Sequence, residues 1–372
     1  MNKVKICFIQ TNVYHLFCNS SNGIYGGSEL QLYLIAKELS KDNKFLISFI
    51  VGDFGQKNIE EINNIILYKS CNPKFNGNLF IKFFQAIKYF RLLKKINADI
   101  YFTSTANSIL GLVSFFCKMN RKKHIHRTAH QMDVDKSFIK NNSILGKIYR
   151  YGLVNSDVIF TQCNDHKELL KTNHNIDSIV IKNSFGIVNK KNKYKKFILW
   201  AARYEEWKQP GLFLKLARLF PNEKFIMVCN KNIDKIKDWE ELREEAIEIK
   251  NLEFLEKVSI NKIQNYFNKA KLFVNTSKFE GFPNTFIQAG IGKTPIISLN
   301  VNPDNFINKY ICGYYCHNDF DLLIKFIDKL LNNETIYKKM SLNIFNYVNE
   351  NHNIIRNIKE IKYTIFNLIK NK

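Results

Sequence analysis

The sequence is poor in the residues that punctuate or staple a chain. Its 372 residues include 6 prolines and 15 glycines, too few for a collagen-like or Pro/Gly-rich disordered polymer. The 8 cysteines contain no Cys-x-x-Cys, and the closest pair, Cys312 and Cys316, has only the adjacent His317 beside it. That pattern supports neither a zinc site nor a disulfide framework, and it predicts buried free thiols in a reducing cytoplasm. Acidic residues are scarce: 33 Asp and Glu stand against 56 Lys and Arg, for a formal net charge of +23. No apolar run approaches the ~18 residues of a bilayer-spanning helix. The N-terminal segment VKICFIQ is strand-like and lacks the apolar core and cleavage site of a signal peptide.

What is present is ordinary for a folded protein, with 45% hydrophobic and 24% charged residues. The length suits two domains, at one per roughly 150 residues. Short β-rich runs alternate with helix-period segments, the pattern of parallel α/β layers. In the first half, strands are expected at 4–10, 45–51, 65–68, 99–103, 123–128, 157–161 and 178–181, with helices at 28–40, 79–96, 108–119, 143–155 and 164–171. The run NKKNKYKK at 189–196 carries charge without periodicity and reads as a linker. Strands restart at 197–201, 224–228, 252–255, 271–275 and 295–299. The expectation is two doubly wound domains, 1–189 and 190–350, with a ligand crevice between them at the strands' carboxyl ends. A final helix, 351–372, is expected to pack back on the first domain.

The most informative stretch is KLFVNTSKFEGFPNTFIQAGIGKTPIISL, residues 271–299. It reads as a buried strand, a loop, a turn around Gly281 and Pro283, a helix opening near Asn284, and a second strand. A helix N-terminus at the carboxyl edge of a sheet suits a phosphate, and Glu280 just ahead of it suits sugar hydroxyls. This stretch resembles the E-x7-E signature of the retaining GT-B glycosyltransferases of glycosyltransferase family 4. The resemblance implies that Glu280 meets the transferred sugar. It places the backbone amides of Gly281, Phe282, Asn284 and Thr285 on the sugar and diphosphate, and position 288 on the ribose. That position is Gln288, where the family has an acid. An amide can still donate to one hydroxyl and accept from another, so the exchange should cost on the order of 1 kcal/mol.

FILWAARYEEWKQPGLFLKLA, residues 197–217, resembles the same family's strand and loop whose Arg and Lys neutralise the departing diphosphate. Here these are Arg203 and Lys208, fixed cations suited to developing negative charge without a metal. Gly26-Gly27-Ser28-Glu29 resembles the family's G-G-x-E helix start. The two glycines permit close approach to donor phosphate and acceptor, and Ser28 would serve as the helix N-cap. His130, in RTAHQMDVD, is placed like the family's loop His that reaches the sugar. Leu255 to Val258 match its base-recognising loop, with Glu256 in place of a common Gly. Asn183-Ser184-Phe185-Gly186-Ile187 stands where the family has N-G-(V/I). Two look-alikes are set aside: GIGKT at 290–294 lacks the first glycine of a P-loop and runs helix to strand, and Asp133-Val-Asp135 is a D-x-D of the kind that arises by chance.

The resemblance implies a retaining, metal-independent enzyme with no bound cofactor, and the cysteine usage and N-terminal segment point to the cytoplasm. The enzyme would move a sugar from a UDP- or GDP-linked donor to a glycan or polyprenyl-diphosphate-linked acceptor, in the setting of bacterial surface polysaccharide synthesis. A non-catalytic partner subunit, suggested by Gln288 and Glu256, remains open. A nucleic-acid-binding protein, suggested by the charge, lacks a recognition motif. Residues 80–150 hold 14 Lys and Arg against 3 Asp. This excess sits beside Phe-rich sequence in LFIKFFQAIKYFRLLKKI, residues 79–96. The combination suggests an anionic membrane surface touching residues 79–150, unless the apolar face of that helix packs on its own sheet.

Overall fold

The computed structural model describes residues 3–18, 25–70, 79–141, 143–187 and 195–370. The chain divides into two compact units, residues 1–184 with 354–372, and residues 185–353.

The first unit is built on one sheet. Its strands are β1 (Val4–Ile9), β2 (Phe45–Val51), β3 (Ile59–Ile62), β4 (Ile65–Lys69), β5 (Ile100–Ser104), β6 (Lys123–Arg127), β7 (Val158–Thr161) and β8 (Ile179–Val180). They lie in the order β3-β4-β2-β1-β5-β6-β7-β8, parallel throughout except for the β3–β4 hairpin. The central strands read as near-continuous apolar runs, FLISFIV in β2, because helices cover both faces. Phe8, Phe49, Phe102 and Phe160 are fully buried at the centre.

The second unit carries β9 (Phe197–Arg203), β10 (Phe225–Asn230), β11 (Leu252–Leu255), β12 (Ala270–Asn275), β13 (Ile296–Ser298) and β14 (Gly313–Tyr315). Their order is β11-β10-β9-β12-β13-β14, all parallel. This is the doubly wound arrangement in which the strand order reverses beside the first strand.

Each expected strand is present within about two residues of its expected ends. The two that the periodicity missed, β3 and β14, are edge strands. IEEI in β3 has no buried position, so nothing in its pattern marks a core-facing strand. The expected linker at 189–196 lies mostly outside the described residues. The expected C-terminal helix is present as Ile354–Lys370, separate from the preceding helix Glu334–Asn351. His352 ends the preceding helix because its carbonyl accepts from the Phe185 amide at 2.9 Å, so it is not committed to the helix ladder. The C-terminal helix packs on the helix Gly27–Leu39, where Lys362 meets Asp42 at 2.7 Å. All seven described cysteines are free thiols, six of them buried; burial pushes the Cys7 and Cys229 thiols up to about 12.

Candidate functional site

In the second sheet, β9 and β12 are neighbours whose chains leave toward opposite edges of the sheet. The carboxyl ends of such a pair form the crevice where open α/β sheets hold ligands. Arg203 ends β9 at that point, the loop after β9 carries Lys208, and the loop after β12 carries Glu280.

These two loops are stapled to each other. Trp200 of β9 donates from its indole to Thr276 Oγ1 at 3.0 Å, and Thr276 donates in turn to the Lys208 carbonyl at 2.6 Å. The Lys278 amide donates to the Trp207 carbonyl at 2.8 Å. Trp207 and Phe279 stack with centroids 5.1 Å apart. Gln209 has φ of 47°, a left-handed conformation that a non-glycine residue adopts at a cost of about 1–2 kcal/mol. Pro210 then opens the next helix, so the chain turns sharply directly after Lys208.

The result is a contact between the two most specific site candidates. Lys208 Nζ donates to Glu280 Oε1 at 2.5 Å, with the side chains 16% and 13% exposed. Ser277 donates to the same oxygen at 3.0 Å, and Lys208 Nζ lies 4.4 Å from the Trp207 ring centroid. The ammonium is therefore held by a carboxylate and an aromatic face. Arg203 is placed differently: it pairs with Glu205 at 2.5 Å and is half exposed. Glu205 also accepts from Asn232 at 3.2 Å. Trp207, Ser277, Thr276, Glu205 and Asn232 belong to this constellation, and the sequence reading missed them. A Trp directly before the loop Lys was the one available signal.

Beyond Glu280, the chain enters the helix Asn284–Ile291 through Pro283. Asn284 and Thr285 occupy its first turn, at the positive end of the helix dipole. Gly281 and Phe282 are buried. The Phe282 ring packs on His352 and Phe306, with centroids 4.4 and 5.1 Å away, so its side chain anchors the helix entry in the core. Gln288 is buried in the same helix, and its carbonyl accepts from Gln264 at 3.0 Å. Leu255 and Val258, at the carboxyl end of β11, pack on the same apolar cluster as Phe282. Gly290 and Gly292 serve packing: a Cβ at Gly290 would meet Val348 at 2.3 Å, and one at Gly292 the Phe267 carbonyl at 2.6 Å.

Gly26, Gly27 and His130 belong to the first unit, at the carboxyl edge of its sheet. Gly26 is the N-cap of the helix Gly27–Leu39, which corrects the expectation that Ser28 caps it. Glu29 reaches back to accept from the Gly26 amide at 3.0 Å and from Ser28 Oγ at 2.8 Å. Gln10, just past β1, lies 3.5 Å from Ser28 Oγ and ties this turn to the strand end. His130 follows β6, and its Nδ1 accepts from the Met132 amide at 3.3 Å. Asp133, first member of the D-x-D, is buried and accepts from the amides of Ala129, His130 and Ala106 at 2.6, 3.0 and 3.0 Å. Asp135 accepts from Ser137. Both carboxylates are thus loop-shaping groups. Burial pushes the Asp133 carboxyl above its ordinary range despite the three amides.

Residues 182–347 match the family described as glycosyl transferases group 1. No curated protein sequence matches the chain. Among solved structures, the sucrose-phosphate synthase of Thermosynechococcus elongatus is similar with a TM-score of 0.80 at 14% identity, covering 100% of both chains. The HepE protein of Anabaena, solved with UDP and glucose, is similar with a TM-score of 0.74 at 14% identity, covering 98% of this chain and 100% of that one. A glycosyltransferase from Rickettsia africae is similar with a TM-score of 0.74 at 17% identity, covering 100% of both. At such identities the likeness is one of fold, two Rossmann-like units of the GT-B kind.

Proposed function

We propose that this chain, which carries the glycosyl transferases group 1 match over 182–347 within a GT-B fold, is a retaining glycosyltransferase using a nucleotide-diphosphate sugar. The observation that carries the reading is the contact of Lys208 with Glu280 at the reversal point of the second sheet. A cation and a carboxylate in direct contact suit a ligand whose charged leaving group adjoins its polyhydroxylated ring.

In this mechanism the diphosphate takes Lys208 from Glu280, which then accepts from sugar hydroxyls. Arg203 and the amides of Gly281, Phe282, Asn284 and Thr285 add positive potential around the phosphates. The bond from the anomeric carbon to the diphosphate oxygen breaks while the acceptor hydroxyl adds to the same face, and its proton passes to the departing phosphate. Catalysis rests on positioning and fixed charge. Leu255 and Val258 border the base, and the Gln288 amide meets the ribose hydroxyls. Gly26 and Gly27 are assigned to the donor phosphate and a glycan or polyprenyl-diphosphate acceptor, and His130 to the sugar.

The test is thermal stabilisation by UDP, GDP and their sugar conjugates, with and without EDTA. A ligand at 100 times its dissociation constant adds about 2.7 kcal/mol to the folded form. One nucleotide class is expected to raise the Tm, with or without EDTA. No shift with any of them would overturn the reading in favour of a non-catalytic partner subunit.

A further inference from the structure

Three helices of the first unit form a basic surface that is apolar at its centre. They are Leu79–Ile96, Ile109–Met119 and Ser143–Val154, and together they carry 8 Lys and Arg with no Asp or Glu. The last two cross backbone to backbone. A Cβ on Gly111 would lie 2.4 Å from the Ile148 carbonyl, and one on Gly152 would lie 2.8 Å from the Gly111 amide. The first helix joins them through Phe90, whose ring is 4.9 Å from Phe116 and 6.5 Å from Phe115.

The outward face is unlike that of a solvated helix. On Ser143–Val154 the buried side is Gly146, Tyr149, Gly152 and Leu153, while Ile144 and Tyr151, spaced i, i+7, stand exposed on the opposite side. Ile144 is 66% and Met119 62% exposed. Lys147 and Arg150 flank this apolar stripe and are exposed, as are Lys88, Arg91, Lys94 and Lys95 on the first helix. The helix that the sequence singled out contributes less of the apolar centre, because Tyr89 and Leu93 are buried in the core.

We infer that this face docks on an anionic lipid surface, with Met119, Ile144, Tyr151 and Val154 entering the headgroup boundary and the surrounding lysines and arginines meeting lipid phosphates. Charge selects this occupant. A second copy of the same face would bring two acid-free surfaces together, and a nucleic acid would leave aliphatic Ile144 and Val154 without an apolar partner. A bilayer rich in acidic lipids satisfies both the charge and the apolar stripe. The inference is independent of the sugar-transfer reading, since it involves no residue of the candidate site.

The test is flotation of the full-length chain with vesicles of phosphatidylcholine alone and with 30% phosphatidylglycerol, about the proportion that gives a strongly anionic surface. The wild-type chain is expected to float with the anionic vesicles and to stay soluble with the neutral ones, releasing as salt rises. The double variant Met119→Glu with Ile144→Glu alters two of the most exposed side chains, and Lys147→Glu with Arg150→Glu reverses two charges. Each should reduce partition at least tenfold, since one basic residue contributes about fivefold, with Tm and far-UV circular dichroism unchanged. Glu280→Gln should float like the wild type, which separates this result from failure of the catalytic assignment. A chain that stays soluble with anionic vesicles, or variants that float undiminished, would overturn the inference. So would concentration-dependent dimerisation that these variants abolish.

Discussion

Lys208 and Glu280 stand 2.5 Å apart with most of each side chain out of water, so either one alone would be a poorly solvated charge. Replacing Glu280 by Gln keeps the shape but leaves Lys208 without its anion; replacing Lys208 by Ala removes the cation that meets the diphosphate. Each is expected to lower kcat by about a hundredfold to a thousandfold, measured as product formed at saturating donor. Normal turnover in both would contradict the assigned roles. Asp133 shows the opposite kind of residue, a carboxylate fully used in structure. Asp133→Ala strands three backbone donors and should cost about 3 kcal/mol, read from the urea midpoint. Unchanged stability would mean that water replaces the carboxylate.

At the scale of elements, the positions of the loops depend on how closely helices and strands approach. The helices Ile109–Met119 and Ser143–Val154 meet at Gly111 and Gly152, where no Cβ fits. Gly152→Ala should destabilise the first unit by about 1–3 kcal/mol, because the added methyl meets backbone that cannot rotate away; the check is its chemical denaturation. The glycines were visible in the sequence, but their purpose was not, since ILGLVSFFCKM does not say which helix faces Gly111. The same holds for Trp200 and Thr276. Their hydrogen bond joins a strand to a loop 76 residues away in sequence, and no local pattern encodes it.

Across the molecule, buried titratable groups set the response to pH. His124 and His126 share Thr103 Oγ1, at 2.9 and 3.0 Å. Burial lowers both, His124 to about 3. Folded, they stay neutral; unfolded, they take up protons as the pH falls through ~6.5. The unfolded chain therefore binds more protons below that point. Stability is lost toward acid by up to about 1.4 kcal/mol per pH unit for each histidine, down to the folded values. Asp133, raised by burial, opposes this with a single proton. The urea midpoint of the first unit is expected to fall between pH 7 and 5, and His124→Gln should flatten that fall. A midpoint independent of pH in the wild type would show that the imidazoles are charged in the folded chain.

The sequence by itself determined the alternation of strands and helices, because buried parallel strands are continuous apolar runs whose length and boundaries survive in any context. It also marked Glu280, Arg203 and Lys208, through the resemblance of the segments around β9 and β12 to a family's motifs rather than through any periodicity. Only the tertiary structure decided that Lys208 touches Glu280 while Arg203 turns to Glu205, that Gly26 and not Ser28 caps its helix, and that the edge strands β3 and β14 exist. Each of these depends on which segments become neighbours after the chain has folded. A pair potential between residues 72 positions apart, or the pairing of a strand with only one neighbour, leaves no periodic trace in the sequence.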